Sequence, residues 1–139
     1  MLQRIQTVWF LLAAIVTAGV FTFDIYQTTD ATAGNVLIGD NFFGIILAVI
    51  SIILDLYTIF LFKNRKRQMN FAWLSVLVAL ALLAWLYYSV GSFTAAHIGI
   101  QGHYWIGLFL PLISAVFLFM GWAGVRKDDK LVKSVDRLR

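Results

Sequence analysis

The sequence predicts an all-α membrane protein, a four-transmembrane-helix antiparallel bundle whose N-terminus and C-terminus both lie in the cytoplasm. Hydrophobic residues make up 61% of the 139 residues and charged residues only 13%, which is more apolar side chain than a soluble domain of this length can bury. All eleven Lys and Arg residues fall in three short segments, at the start, middle and end of the chain. Because basic residues mark cytoplasmic segments, every second connection is expected inside the cell.

The first predicted span covers about residues 5–26. A spanning helix needs about 20 residues, so this apolar stretch is just long enough to cross. The same stretch also fits a signal peptide, because Arg4 precedes it and Val16-Thr17-Ala18 loosely resembles a cleavage site. We expect a span, with the signal peptide as the alternative.

The second and third predicted spans, 42–62 and 71–90, flank the basic turn Lys63-Asn64-Arg65-Lys66-Arg67-Gln68. Moving four positive charges across a bilayer is very unfavourable, so this turn fixes the orientation more firmly than Arg4 does. The turn is about eight residues long, which makes the two helices antiparallel neighbours.

The fourth predicted span, 104–125, completes a bundle of residues 1–125 and is followed by a cytoplasmic tail, 126–139. In the tail, apolar residues recur at i, i+4 and i+7 and basic residues border them, which predicts a short basic amphipathic helix. The apolar positions are Leu131, Val135 and Leu138, and the basic ones are Lys130, Lys133, Arg137 and Arg139. Such a helix binds either the anionic inner leaflet or a protein partner, and both interpretations stay open.

The two outer connections, 27–41 and 91–103, hold no basic residue and are rich in glycine and polar residues. Turn-rich segments of this kind are expected to order only against each other. Both histidines, His97 and His103, are on this side. We expect ordinary interfacial histidines, with a surface metal site that includes Asp40 or Asp30 as the alternative.

Three segments of the chain resemble a known family. They are the opening Met1-Leu2-Gln3-Arg4-Ile5-Gln6-Thr7-Val8-Trp9, the basic turn, and the closing segment from Arg126, with its Lys-Leu-Val-Lys-Ser-x-Asp-Arg-Leu-Arg ending. Together they are similar to an uncharacterised family of small four-helix integral membrane proteins of Bacteroidetes. The resemblance implies four spans and a cytoplasmic tail, and it implies no substrate, cofactor or catalytic residue.

Asp55 is the only ionisable residue within a predicted span. A carboxylate in hydrocarbon costs several kcal/mol unless it is protonated, hydrated or paired, and such residues often mark ion or proton paths. Asp55 is therefore the candidate ion or proton site. The alternative, which we favour, is structural: two helical turns place it only about 10 Å from the Lys63 end, where water, a proton, or a hydrogen bond to Ser75 or Trp73 accommodates it.

Enzyme chemistry is not expected. The chain has no Glu, no Cys, no glycine-rich phosphate loop and no clustered metal ligands, so neither a catalytic site nor a cofactor is predicted. Charge confined to separate segments also differs from the uniformly basic surface of a nucleic-acid binder. Pairs of small residues where helices can approach closely do not distinguish contacts within one chain from a homo-oligomer. These pairs are Ala14 and Ala18, Ser75 and Ala79, and Gly121 and Gly124.

The function expected from the sequence is that of a non-enzymatic accessory or scaffold component of the cytoplasmic (inner) membrane. Its basic face and tail would contact anionic lipid or a protein partner. The predicted contact residues are Lys63, Arg65, Lys66, Arg67, Lys130, Leu131, Lys133, Val135, Arg137, Leu138 and Arg139. The alternative is a small oligomeric proton- or cation-coupled transporter that uses Asp55.

Overall fold

The computed structural model describes residues 2–29, 34–99 and 101–136. Within them the chain forms four α-helices, two single-turn 3-10 helices and two short strands. In chain order these are α1 (Leu2–Gly19), β1 (Tyr26–Thr28), a 3-10 turn (Ile38–Asp40), α2 (Phe42–Phe60), a second 3-10 turn (Leu61–Lys63), α3 (Arg65–Ala96), β2 (Gly102–Tyr104) and α4 (Ile106–Asp136). Three helical segments are long and apolar enough to cross a membrane, namely α2 with its following turn, α3, and α4 to Val132. The predicted helical bundle with multiple spans is confirmed to that extent.

The helices form a closed ring, in which α1 packs on α2 and α4, and α3 packs on the same two helices. Contacts run in opposite directions along three of the four neighbouring pairs, so the helices of these pairs are antiparallel. They join Phe10 with Gly121 and Thr17 with Ser114 in α1–α4, Thr58 with Gln68 and Phe43 with Trp85 in α2–α3, and Arg65 with Asp128 and Trp73 with Trp122 in α3–α4. The basic turn and the far end of α4 therefore lie at one end of the bundle.

The first helix is shorter than predicted. The predicted span reaches residue 26, whereas α1 ends at Gly19 and its apolar helical part, Ile5–Gly19, is shorter than the other three. The chain then turns, with the Thr22 hydroxyl donating to the Gly19 carbonyl over 2.8 Å. The next segment lies against α4, where a Cβ on Gly107 would come within 2.4 Å of the Asp24 carbonyl oxygen. The absent side chain at Gly107 lets an extended segment replace the last turns of a helix.

The fourth helix is longer than the predicted span and continues through Asp136, so one helix is present where the sequence predicts a span ending at 125 and a separate tail helix. No Gly or Pro occurs between residues 125 and 136, so nothing in that segment ends a helix. Asp128 also ties it to the bundle, because its carboxylate lies 2.9 Å from the Arg65 guanidinium. The first part of the tail is thus the last three turns of α4.

The two outer connections order against each other, as predicted. Strands β1 and β2 pair antiparallel with Tyr26 opposite Tyr104, and Tyr26 also bridges to Val36. Ile25 accepts a backbone hydrogen bond from Trp105 over 3.0 Å. This small sheet covers the non-basic end of the bundle and is an addition to the predicted all-α architecture.

Candidate functional site

The buried face of α2 is made only of small or polar residues. Its members recur every three or four positions, so they share one side of the helix. They are Gly44, Ala48, Ser51, Asp55 and Thr58. Large apolar residues of α2, such as Phe42, Ile53 and Phe60, are exposed. In a membrane protein this arrangement gives α2 a lipid-compatible outer surface and a narrow polar contact with the bundle.

Asp55 lies at the centre of this contact, with 0% of its side chain exposed. Its polar neighbour across the helix pair is Ser75 of α3. Among the residues that the structure describes, neither Asp55 oxygen has a hydrogen-bond partner of acceptable geometry, and neither do the Ser51 and Ser75 hydroxyls. Buried polar groups are costly when they lack partners, so Ser51, Asp55 and Ser75 form the candidate polar site of the contact between α2 and α3.

The polar contact continues from Asp55 toward the basic turn. The Gln68 amide of α3 donates to the Thr58 carbonyl over 3.2 Å, and the Thr58 hydroxyl donates to the Leu54 carbonyl. Trp73, the other predicted partner of Asp55, packs instead on Trp122 with ring centroids 5.7 Å apart. Asp55 therefore lies inside the contact between α2 and α3, next to Ser75, which is one of its two predicted partners.

The predicted basic contact surface is at one end of the bundle. Lys63, Lys66, Arg67 and Lys130 are exposed there, whereas Arg65 forms the ion pair with Asp128. Arg65 thus helps to hold α3 on α4 and is less available to a partner than its neighbours.

The apolar residues predicted for the tail are only partly described. Leu131 is 48% exposed and lines a small cavity of about 70 Å³ with Ile5 and Trp9 of α1. Lys133 and Val135 belong to the last turns of α4. The remaining predicted residues, Arg137, Leu138 and Arg139, lie outside the described residues.

Sequence reasoning missed a basic aromatic cleft on α4. The Arg126 guanidinium stacks over Trp122, 5.2 Å from the ring centroid, and these residues line a cleft of about 350 Å³ with Lys127 and Lys130. The signal was present in the sequence, since Trp122 and Arg126 are four residues apart and share a helix face. Arg and Lys beside an interfacial Trp suit the phosphate of an anionic lipid.

The two histidines contact aromatic rings. His97 stacks on Phe93 at 4.5 Å and His103 meets Trp105 edge to face at 5.4 Å. In the described parts of the chain, no group of three or more His, Cys, Asp or Glu residues is arranged to hold a metal ion. Asp30, one of the two suggested further ligands, lies outside those parts.

Comparison with known proteins gives one family. The model of a family described as "Domain of unknown function (DUF4293)" matches residues 2–138, nearly the whole chain. No curated protein and no solved structure matches the chain. The match agrees with the resemblance in extent and in assigning no activity, while the origin of the family in Bacteroidetes stays a prediction.

Proposed function

This chain belongs to the family described as Domain of unknown function (DUF4293), and from that premise, which brings no substrate with it, we propose a non-enzymatic accessory or scaffold role in the cytoplasmic membrane. Both termini lie in the cytoplasm in this proposal. The basic end of the bundle contacts anionic lipid or a protein partner.

The observation that carries the proposal is the arrangement of basic residues at one end of the bundle. The turn between α2 and α3 and the continuous end of α4 lie side by side there, joined by the pair between Arg65 and Asp128. Exposed Lys66, Arg67 and Lys130 thus belong to one surface. Each basic residue near an anionic leaflet contributes about 1 kcal/mol, so the surface is suited to lipid or an acidic partner.

The test compares companions of the full chain with those of a charge variant. Lys66→Gln, Arg67→Gln and Lys130→Gln combined remove exposed charge and leave the Arg65 pair intact. After purification in mild detergent, we expect this variant to lose anionic lipid and co-purifying protein, measured by mass spectrometry. The matched control changes three exposed polar residues at the other end, Thr29→Ala, Ser92→Ala and Gln101→Ala. Equal recovery of companions by the wild type and the charge variant contradicts the proposal.

A second candidate is a proton- or cation-coupled transporter, and the unpaired oxygens of Ser51, Asp55 and Ser75 favour it. Against transport, Asp55 is fully buried and lines none of the clefts named above. We therefore rank transport second. Proteoliposomes with a pH-sensitive dye test it directly, because a proton flux abolished by Asp55→Asn would replace the accessory role with transport.

A further inference from the structure

A cleft of about 480 Å³ opens at the non-basic end of the bundle, between the start of α2 and the last turns of α3. Its residues come from segments far apart in the chain: Asp40 and Asn41 on one side, and Trp85, Tyr88, Ser89 and Phe93 on the other. None of them belongs to the basic surface or to the Asp55 cluster. The cleft combines a carboxylate, hydroxyls and aromatic rings.

One set of groups in the cleft favours a cation. Trp85 and Tyr88 form an aromatic pair with centroids 5.7 Å apart, and Phe93 stacks on His97. The faces of such rings attract an ammonium group. Asp40 supplies a carboxylate, of which Oδ2 accepts the Leu37 N–H over 3.1 Å. None of the cleft-lining residues is a Lys or Arg, so no lysine or arginine of the cleft wall competes for this carboxylate.

The height of the cleft in the membrane follows from the length of α3. Its 32 residues make a helix of about 48 Å, longer than the roughly 30 Å of bilayer hydrocarbon. With the basic turn at the inner surface, hydrocarbon ends near residue 90. Trp85 then lies in the last turns of α3 inside the hydrocarbon, and Phe93 lies beyond the hydrocarbon. The cleft therefore lies at the level of the outer headgroup layer.

We propose that this cleft binds the headgroup of a zwitterionic phospholipid of the phosphoethanolamine type. The ammonium lies against Asp40 and the aromatic rings, and the Ser89 hydroxyl at the cleft wall donates to the phosphate. The carboxylate and the ring faces attract an ammonium, and the height of the cleft presents it with the ammonium of a lipid headgroup. This site goes beyond the accessory role, which depends on the opposite end of the bundle.

The experiment uses the purified full chain in detergent, titrated with dihexanoyl phosphatidylethanolamine, dihexanoyl phosphatidylglycerol or free phosphoethanolamine and followed by native mass spectrometry. We expect saturable binding of the ethanolamine lipid, and binding of the glycerol lipid weaker by about tenfold or more, because that lipid lacks the ammonium. Equal binding of the two lipids overturns the proposal. Free phosphoethanolamine that binds as tightly as the lipid overturns the assignment to a membrane lipid.

Two neighbouring tyrosines provide a matched pair of variants. Tyr88 lines the cleft and is 66% exposed, whereas Tyr87 faces α4 and stacks on Tyr104 at 6.0 Å. We expect Tyr88→Ala and Asp40→Asn to weaken binding of the ethanolamine lipid and Tyr87→Ala to leave it unchanged, with thermal unfolding showing that all three fold. Wild-type binding by folded Tyr88→Ala and Asp40→Asn, or the same loss in Tyr87→Ala, contradicts the site.

Discussion

At the scale of single residues, a close contact between α1 and α4 depends on a missing side chain. A Cβ on Gly121 of α4 would come within 2.8 Å of the ring of Phe10, which is fully buried in α1. Gly124, one turn later, faces the side chain of Gln6 at 3.1 Å. The small pair that the sequence marked as a packing signal therefore joins helices within one chain.

Gly121→Ala is expected to destabilise the bundle by about 1 to 3 kcal/mol, because a buried ring has to move to make room. Gly91→Ala is the matched control. Gly91 also lies in a helix, but a Cβ there meets no atom within 4 Å, so this change is expected to raise stability by about 0.5 to 1 kcal/mol. Unfolding in detergent by SDS titration measures both. Equal free energies of unfolding for the two variants would show that the contact is looser than described.

Asp55→Asn is expected to leave the folded yield nearly unchanged, because asparagine keeps the size and hydrogen-bonding capacity of the carboxyl without its charge. Asp55→Lys is the contrasting variant and should lower the folded yield strongly. It buries an ammonium between α2 and α3, where the nearby polar side chains among the described residues, Ser51 and Ser75, carry no counter-charge. Size-exclusion chromatography in detergent gives the folded fraction. A strong loss for Asp55→Asn would mean that the ionised carboxylate holds the fold.

Single residues were only partly predictable from the sequence. Asp55 stood out because an ionisable residue in an apolar stretch is rare. The choice between Ser75 and Trp73 as its neighbour depends on the rotation of α3 about its axis, which hydropathy does not fix. The outer cleft was not predictable, because Asp40 and Trp85 meet only through the packing of α2 on α3.

At the scale of elements, α4 is one continuous helix where the sequence predicts a span and a separate tail helix. The basic residues after Val125 predict the end of the fourth span. Charged residues end a hydrophobic stretch, but they do not end a helix. Eleven further residues reach Asp136 and extend α4 by about 16 Å. The basic surface at this end is thus part of a helix that is continuous with the bundle.

Leu131→Asp together with Leu138→Asp is expected to abolish a partner interaction at this end while the bundle stays folded. Leu131 sits beside Ile5 and Trp9 of α1, and a buried leucine contributes roughly 1.5 to 3 kcal/mol to a contact. Val132→Asp, a change of similar chemistry on the adjacent helix face, serves as control. Pull-down followed by mass spectrometry compares the variants. The same companions with the wild type, the double variant and a chain truncated after Val125 would show that this end only anchors to lipid.

Element boundaries followed the sequence where a local signal existed. Asn64 caps α3 by accepting the Arg67 N–H over 3.3 Å, at the basic turn that was predicted. The end of α1 was missed although glycine is a typical helix-end residue, because the apolar stretch continues past Gly19, and the chain beyond it then packs on Gly107 of α4. Tertiary contacts of this kind lie beyond periodicity and composition.

At the scale of the whole molecule, orientation is the central prediction, and it rests on the confinement of basic residues to one end. Cysteine at Thr29 or Ile98 should react in intact cells with a membrane-impermeant maleimide, and cysteine at Lys66 or Ser134 should not. Ile98 is preferred to Gly99 because Gly99 has φ +100°, which strains any side chain. Lys66 is preferred to Gln68, which is buried.

Labelling of all four positions after permeabilisation is the control, because it shows that each cysteine is reactive when reached. The reverse pattern, with Lys66 and Ser134 labelled in intact cells, would invert the topology and place the basic surface outside.

The fold class was predictable at this scale because long apolar stretches are stable in lipid. The distribution of charge predicts the direction in which these stretches cross the membrane. Helix order around the ring also followed, in part, from the short turn between α2 and α3. The small outer sheet did not, because strands of three residues such as Tyr26–Thr28 carry no periodic signal of their own.

The contact between α1 and α4 also determines when, during synthesis of the chain, the bundle can close. The Thr17 hydroxyl donates to Ser114 over 2.8 Å, across 97 residues of chain, while the apolar part of α1, Ile5–Gly19, falls short of the roughly 20 residues that cross a bilayer unaided. A ribosome adds about 5 to 20 residues per second, so α1 waits several seconds for its main partner to be made. During that interval α1 lacks its main packing partner, and the bundle closes only when synthesis is nearly over.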